Sequence, residues 1–206
     1  MNITDKIKIT NEDNMELMAR YPDNHFDLAI VDPPYGIDIA KWDKKELRPK
    51  KEYFEELFRV SKNQIIWGGN FFTNLLPIID GWLCWYKKPF LKQQAHFELA
   101  WNSILKKPFL FEYTYAGNCE GIKNIKVDYS KKSIHPTQKP IQLYNWLLDN
   151  YAQPGDKILD THLGSGSIAI ACFERGFDLT ACELDEEYFN ASIKRIKQQI
   201  AQQRLF

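Results

Sequence analysis

The chain has 206 residues, of which 44% are hydrophobic, a size that supports one domain with a sizeable core but not two full ones. Lys plus Arg and Asp plus Glu each number 27, so the formal net charge is zero and the chain as a whole is not basic. The N-terminus has no apolar run of signal-peptide length, and no segment has the roughly 20 apolar residues that span a bilayer, so we expect a cytoplasmic protein without membrane contact.

The N-terminal half predicts alternating strands and helices. Apolar residues at every second position, or in short continuous runs, indicate strands, and spacings of three and four indicate helices. We predict strands at residues 6–10, 26–31, 63–70 and 81–88, helices at residues 14–21, 51–60 and 71–79, and a polar loop at residues 38–51. The run 26–31 stops at two prolines, as a buried parallel strand does at its end. This alternation is typical of a parallel α/β sheet.

The second half continues the pattern after an aromatic segment. We predict strands at residues 96–104, 108–116 and 178–185, a polar loop at residues 117–133, a helix at residues 140–151, and a strand, glycine turn and helix within residues 155–176. In the last segment, apolar side chains spaced by four, three and four predict a final helix: Phe189, Ile193, Ile196 and Ile200. Because there is no internal repeat and no linker, we expect a single domain over residues 1–206.

Positive charge is concentrated in the middle of the chain. Residues 86–139 hold ten Lys or Arg against four Asp or Glu, whereas residues 1–85 hold 11 against 14 and residues 140–206 hold six against nine. A local basic surface is the electrostatic footprint of nucleic-acid contact, since lysines near phosphates release counterions. A solvated charged face is the alternative interpretation.

The cysteines show no metal-binding pattern. Cys84, Cys119, Cys172 and Cys182 are scattered, without Cys-x-x-Cys pairs or His partners at ligand spacing. We predict reduced structural thiols and no metal site.

A glycine turn lies between a predicted strand and a predicted helix at residues 160–167. Gly164 and Gly166 let the backbone approach a ligand closely, and the helix N-terminus offers unpaired N–H groups. Simple strand-to-helix packing is the alternative, because the full dinucleotide-binding spacing is absent. Glu183 ends the next predicted strand about 20 residues on, where a carboxylate accepts hydrogen bonds from both ribose hydroxyls. Since no Walker lysine follows the glycines, these residues predict an adenosine-containing ligand other than a triphosphate.

The tetrapeptide Asp32-Pro33-Pro34-Tyr35 directly follows the predicted strand 26–31. Successive prolines fix the backbone and hold nearby carbonyl groups outward. Such rigid acceptors suit an exocyclic NH2 group, and the Tyr35 ring offers a surface on which a flipped base stacks. Hydrogen bonds from the amine to the Asp32 carboxylate and a proline carbonyl would aim its lone pair at an electrophilic methyl group without a covalent intermediate. An ordinary Pro-Pro turn is the alternative.

Three motifs together resemble a known family. Asp-Pro-Pro-Tyr at 32–35, His-Pro-Thr-Gln-Lys-Pro at 135–140 and the glycine turn at 160–167 resemble the DNA amino-methyltransferases of the N4-cytosine/N6-adenine group, in the motif order of the permuted beta class. The resemblance covers essentially the whole chain. It implies an α/β Rossmann-like methyltransferase fold with a mostly parallel seven-stranded sheet flanked by helices, a circularly permuted motif order, and S-adenosylmethionine as methyl donor.

The resemblance also implies roles for individual residues. The target base would be held by Asp32, Pro33, Pro34 and Tyr35. The cofactor would be bound by Asp160, Leu163, Gly164, Ser165 and Gly166 on its methionine side, by Glu183 at the ribose, by Asp13 at the adenine amine, and by Lys139 with Thr137 nearby. Residues 67–70 would shape the pocket, His162 would have a packing role, and the role of Glu98 is left open.

The resemblance favours adenine N6 as the methylated atom, because an Asp at the first motif position goes mostly with adenine and a Ser with cytosine N4. Cytosine N4 is the first alternative, RNA or a protein amide the second, and a non-catalytic cofactor-binding or nucleic-acid-binding module the third. The late glycine turn and the basic middle segment favour DNA over RNA or protein. Intact acidic, aromatic and glycine positions argue against a non-catalytic module: Asp32, Tyr35, Gly164, Gly166 and Glu183.

Target recognition is expected to use a short basic segment at residues 104–134, which is smaller than a dedicated recognition domain. The recognised DNA site would therefore be short, its recognition would be shared with a homodimer partner, or the sequence specificity would be relaxed. The candidates for phosphate contacts are the loop 41–51 and six lysines of this segment: Lys106, Lys107, Lys123, Lys126, Lys131 and Lys132. We expect double-stranded DNA as the partner, and association with a restriction system or a phage in a bacterial host.

Overall fold

The structure is a computed structural model that describes residues 1–38, 43–87, 95–114 and 138–203. Its strands are β1 (Ile7–Asn11), β2 (Phe26–Val31), β3 (Ser61–Trp67), β4 (Trp82–Tyr86), β5 (Phe97–Asn102), β6 (Phe109–Glu112), β7 (Lys157–Asp160) and β8 (Asp178–Glu183). Its helices are α1 (Asn14–Ala19), α2 (Lys51–Val60), α3 (Ile141–Tyr151), α4 (Ser167–Arg175) and α5 (Glu186–Gln203). None of the helices in these ranges combines the length and hydropathy that crossing a bilayer requires.

The strands form one sheet in the order β1-β8-β7-β2-β3-β5-β4-β6. Neighbours from β1 through β3 pair in parallel, β5 pairs antiparallel with both β3 and β4, and β6 pairs in parallel with β4. The prediction of a mostly parallel sheet flanked by helices is confirmed. The resemblance implied seven strands, whereas the described residues form eight; the four-residue edge strand β6, which pairs with β4, lies within the strand predicted at residues 108–116.

Helices cover both faces of the sheet. Leu28 and Ile30 of β2 pack with the apolar side chains of α3, α4 and α5, whereas Ala29 and Val31 pack with those of α1 and α2. Successive side chains of a strand point to opposite faces, so a strand buried on both faces needs apolar residues throughout. This double burial explains the continuous apolar run of β2.

The helix predicted at residues 71–79 is wrong. The chain forms a short 3-10 turn at Gly69–Phe71, and residues 72–79 contain turns but no helix. Gly68 precedes this turn in a left-handed conformation with φ 66°. Pro77 has no N–H for a helical hydrogen bond and disfavours helical backbone at the residue before it. Apolar spacing alone therefore gave the wrong element.

Candidate active site at the carboxyl edge of the sheet

The parallel strands deliver acidic residues to one edge of the sheet. Asp32 directly follows β2, Asp160 ends β7 and Glu183 ends β8, and these three strands are neighbours. Because the carboxyl ends of parallel strands meet at the same edge, the three side chains converge there. A cavity of about 600 Å³ opens beside them.

Most of the residues predicted for the site line this one cavity. They are Asp13, Asp32, Pro34, Lys139, Leu163, Gly164, Ser165 and Glu183. The others in the described part lie beside the lining residues without forming the wall: Pro33, Tyr35, Asp160 and Gly166. Thr137 lies outside the described residues, as do His135 and most of the basic segment 104–134.

The glycine turn between β7 and α4 has a backbone that only glycine adopts readily. Gly164 and Gly166 have φ angles of 52° and 75°. The Gly164 N–H donates to the Glu183 carboxylate at 2.8 Å, which ties the turn to the end of β8. A Cβ added at Gly164 would meet only the His162 carbonyl oxygen, at 3.9 Å, so the turn leaves open space on that side. This space is the room that a ligand held by the backbone requires.

Burial raises the pKa values of two carboxyl groups at the cavity. Asp160 is buried and accepts the His162 N–H at 3.0 Å, and burial raises its pKa to about 8, with the Asp32 and Glu183 charges adding to the rise. Burial also raises the pKa of Glu183. Acidic groups in a low-dielectric setting favour a ligand that carries positive charge or hydrogen-bond donors.

Asp13 begins α1 at the mouth of the cavity. Its side chain caps the helix by accepting the Met15 N–H at 2.7 Å. A carboxylate at an N-cap is fixed in direction by that hydrogen bond. The motif resemblance gave this residue a ligand role, and the structure adds the capping contact that orients it.

His162 forms part of the cavity wall through a buried polar network. Its Nε2 lies 3.1 Å from the Asn14 side-chain amide, and its Nδ1 lies 2.9 Å from the Thr161 hydroxyl, which in turn lies 2.7 Å from the Tyr53 hydroxyl. Burial lowers the pKa of His162 to about 3, so the ring is neutral. A neutral, fully engaged imidazole suits a packing role rather than acid–base chemistry.

Tyr35 turns back onto the Asp32 side chain. Its hydroxyl donates to Asp32 Oδ1 at 2.7 Å, and its ring stacks on Phe71 with centroids 4.9 Å apart and planes 16° apart. Gly68 lies against the same ring, and an added Cβ there would overlap it. The segment 67–70 therefore sets the position of Tyr35, which specifies the shaping role that the sequence predicted for it.

Asp43 is a site residue that the sequence did not predict. It is buried, and its carboxylate accepts the backbone N–H groups of Tyr35 at 2.6 Å, Gly36 at 3.0 Å and Ile37 at 3.1 Å. Three converging N–H groups are a strong anchor for a carboxylate. The residue falls in a charged loop, where a lone Asp carries no pattern that could have distinguished it.

Lys139 lies between two carboxylates. Its ammonium contacts Asp32 Oδ2 and lies 3.2 Å from Glu98 Oε2, and Glu98 also pairs with Lys87. Lys139 lines the cavity as predicted for a cofactor-side residue, but its charged end is directed to these carboxylates. Glu98, whose role the sequence left open, is thereby connected to Asp32.

The described part of the chain contains no group of three or more His, Cys, Asp or Glu side chains arranged to hold a metal ion. Within the same ranges, Cys84, Cys172 and Cys182 are free thiols, and the latter two are buried. Cys119 lies outside the described residues. Lys106 and Lys107, two of the predicted phosphate contacts, are exposed.

Known proteins match this chain over most of its length. The model of the N6/N4 methyltransferase family, described as DNA methylase, matches residues 82–194. The Type II methyltransferase M.HpaI of Haemophilus parainfluenzae is 26% identical over 224 residues, which cover 88% of this chain and 71% of the relative.

Solved structures share the fold. The M1.HpyAVI–SAM complex superposes with a TM-score of 0.61 at 20% identity, covering 91% of this chain and 98% of the other. The PvuII DNA methyltransferase, described as cytosine-N4-specific, superposes with a TM-score of 0.63 at 13% identity, covering 94% of this chain and 92% of the other.

Gly68→Ala is expected to destabilise the protein more than its backbone conformation alone explains. A left-handed alanine costs about 1 kcal/mol, and overlap with the Tyr35 ring adds about 1–3 kcal/mol, as overpacking does. Gly176→Ala is the matched control, because φ there is 74° and an added Cβ meets nothing within 4 Å. Urea unfolding of both variants gives the comparison, and equal losses would show that Tyr35 is not packed against Gly68.

Asp43→Asn is expected to loosen the backbone of residues 35–37. The amide NH2 cannot accept hydrogen bonds, so three N–H groups lose part of their shared acceptor at a cost of about 1–3 kcal/mol. Hydrogen exchange should accelerate at Tyr35, Gly36 and Ile37. In the control Asp156→Asn, which loses a carboxylate contact to the Gln153 N–H, exchange at residues 35–37 should stay at the wild-type rate. Unchanged protection from hydrogen exchange in Asp43→Asn would show that Asp43 does not hold the backbone of residues 35–37.

Proposed function

This chain belongs to the N6/N4 DNA methylase family, and we propose that it transfers a methyl group from S-adenosylmethionine to the exocyclic N6 amine of adenine in double-stranded DNA. The observation that carries the proposal is that one cavity holds both halves of such a reaction. Asp32 and Pro34 line one side of it, and Gly164, Ser165 and Glu183 line the other. A methyl donor and an amine bound there would meet inside a single enclosure.

The residues on the glycine side fit the proposed cofactor. Glu183 would accept hydrogen bonds from the ribose hydroxyls, Asp13 would accept one from the adenine amine, and the backbone at Leu163, Gly164 and Ser165 would line the methionine part. When bound, S-adenosylmethionine supplies a methyl group on a positively charged sulfur, which makes the sulfur a good leaving group. The buried carboxyl groups at this edge suit that positive charge.

Asp32 supplies the chemistry on the amine side. Its carboxylate accepts a hydrogen bond from the exocyclic NH2 group, together with a carbonyl of the rigid Pro33-Pro34 segment. These two acceptors orient the nitrogen lone pair towards the methyl group. The methyl–sulfur bond would break as the C–N bond forms, and the nitrogen would then release a proton to water. No covalent enzyme intermediate is required.

Base stacking on Tyr35 would need a local rearrangement. Phe71 occupies one face of the Tyr35 ring, and Tyr35 is not part of the cavity wall. A base flipped out of DNA would therefore take the place of Phe71 against Tyr35 or turn the Tyr35 ring outwards. Binding of DNA thus supplies the free energy that separates these two rings.

Adenine is preferred over cytosine on the identity of one residue, Asp32, at the first position of the tetrapeptide. Methylation of cytosine N4 is the second candidate, supported by the structural likeness to the cytosine-N4-specific PvuII enzyme. The basic segment 104–134 within a single domain is the proposed DNA-recognition region. A homodimer and a partner nuclease of a restriction system are further proposals, the latter in keeping with the Type II relative.

Asp32→Ala is expected to reduce methyl transfer by about 10²–10⁴-fold, because the variant loses an acceptor that acts on the reacting amine. Incorporation of labelled methyl into unmethylated double-stranded DNA measures the rate, and calorimetry with S-adenosylmethionine should show binding close to wild type. Asp178→Ala, at an exposed strand end, serves as the control with full activity. Loss of cofactor binding in a folded Asp32→Ala protein would contradict the assigned role.

The labelled product also identifies the substrate. N6-methyladenine in the DNA hydrolysate supports the proposal, and N4-methylcytosine establishes the second candidate. Transfer to RNA but not to DNA would overturn the DNA assignment.

Neutralising four lysines of the basic segment is expected to flatten the salt dependence of DNA affinity. Each phosphate contact contributes about −0.9 to the slope of log K against log salt, so replacing Lys123, Lys126, Lys131 and Lys132 with Gln should reduce the slope by up to about 4. Fluorescence anisotropy with a duplex at several salt concentrations measures it. The double variant K194Q/K197Q, exposed on α5, is the control. An unchanged slope would show that the DNA-binding surface lies elsewhere on the protein.

A further inference from the structure

Four charged side chains alternate in sign in a row that reaches the cavity wall at Lys139 and Asp32. Lys87 pairs with Glu98, Glu98 lies 3.2 Å from Lys139, and Lys139 pairs with Asp32. They come from separate parts of the chain, because Asp32 follows β2, Lys87 follows β4, Glu98 lies in β5 and Lys139 precedes α3. The arrangement is a continuous row of ion pairs that ends on the proposed catalytic carboxylate.

Lys139 is the most deeply placed member of this row. Its side chain is only 4% exposed, against 20% for Lys87 and 23% for Glu98. Burial lowers the pKa of Lys139, but the carboxylates of Asp32 and Glu98 outweigh burial, so the pKa is raised overall. Burial raises the pKa of Glu98, but the ammonium groups of Lys139 and Lys87 outweigh it, so that pKa is lowered overall. Each charge is therefore retained because its neighbours compensate it.

Contacts from three sides fix the Lys139 side chain and backbone. The ammonium lies 5.3 Å from the centroid of the Trp67 ring, in a cation–π contact. The Lys139 carbonyl accepts a hydrogen bond from the Ser167 hydroxyl at 2.7 Å, and Ser167 is the first residue of α4. Lys139 thus joins the glycine turn, through its backbone, to Asp32, through its side chain.

We propose that Lys139 is a positioning residue that holds the Asp32 carboxylate directed at the target amine, and that Glu98 and Lys87 hold Lys139 in place. The inference rests on the proposed function and assigns roles to Glu98 and Lys87 that the motifs do not give. It also gives Lys139 a task other than cofactor contact, since its ammonium binds the carboxylates.

The physical basis is the excess of acidic groups around Asp32. The groups that face it are Tyr35, Glu98 in β5, Lys139, Tyr144 in α3 and Asp160 in β7. Among these, Lys139 is the cation, and Glu98 and Asp160 are carboxyl groups. Without Lys139, the Asp32 carboxylate would lose its cationic partner, and a carboxylate that no cation holds in place is a poorly oriented acceptor for the amine.

Lys139→Met is the direct test, because methionine keeps the length of the side chain and removes the charge. The rate at saturating S-adenosylmethionine and DNA should fall by about 10²-fold, because a displaced acceptor no longer orients the amine. The Michaelis constant for S-adenosylmethionine should change little. Lys62→Met, which removes an exposed lysine paired with Asp27 at 2.6 Å, is the matched control with a wild-type rate.

Glu98→Gln separates the roles within the row. It removes the charge that holds Lys139 from the side away from Asp32, while the Lys139–Asp32 ion pair stays present, so the rate should fall, but less than in Lys139→Met. A wild-type rate in Glu98→Gln would show that Glu98 does not hold Lys139 in place.

Two further measurements keep the proposal testable in every case. If Lys139→Met does not fold, the double variant Lys139→Met/Glu98→Gln removes one charge of each sign, and its rate should still lie below that of Glu98→Gln. Carbon-13 NMR without DNA should show that the chemical shift of the Asp32 side-chain carboxyl differs between wild type and the variant, because the ammonium contact is lost. That measurement does not depend on activity, so a wild-type protein that fails to methylate DNA overturns the proposed function alone.

The proposal on Lys139 is overturned by either of two results. A raised Michaelis constant for S-adenosylmethionine with an unchanged rate would make Lys139 a cofactor contact. An Asp32 carboxyl chemical shift identical in wild type and Lys139→Met would show that the ammonium does not position the carboxylate.

Discussion

Carboxyl groups drawn partly or fully out of water at the ends of three neighbouring parallel strands are the constraint on which this site depends. Asp32, Asp160 and Glu183 meet at one edge because β2, β7 and β8 run in the same direction. A carboxylate removed from water needs hydrogen bonds or a counter-charge, or it takes up a proton. The surrounding contacts meet this need: Lys139 at Asp32, the His162 N–H at Asp160 and the Gly164 N–H at Glu183.

The negative charges of the three carboxyl groups are balanced by their neighbours to different degrees. This difference distinguishes the Asp32 side of the cavity from the Asp160 side. Asp32 has a full counter-charge in Lys139, so it is suited to act as a hydrogen-bond acceptor for an amine. Asp160 accepts a backbone N–H, and burial raises its pKa to about 8. A positively charged ligand would supply the compensation that Asp160 lacks. In the proposed function, the amine side is therefore preorganised, whereas the cofactor side would be completed by its ligand.

The sequence predicted the parts of this site that are local in the chain. A strand followed by Pro33-Pro34, or by the turn at Gly164, gives a pattern within a few residues, and the parallel sheet follows from the alternation of such units. The contacts that join these parts could not be predicted, because Lys139 and Asp32 are 107 residues apart. Asp43 was missed for a related reason. Its partners are backbone N–H groups, which nearly every residue has, so no residue type in the sequence marks them. The error at residues 71–79 arose where apolar spacing served packing against Tyr35 rather than a helix.

The order of the strands makes the two halves of the site interdependent. β2 lies between β3, which follows it closely in sequence, and β7, which pairs with it through Leu28 and Ile158. The strand that carries Asp32 therefore has the strand that leads into the glycine turn as its direct neighbour. Lys139 precedes β7 in the chain, and its backbone binds Ser167 while its side chain binds Asp32. Ordering of the glycine turn and ordering of the Asp32 carboxylate are thus linked through one residue, so a ligand that stabilises the turn also stabilises Lys139 and, through it, Asp32.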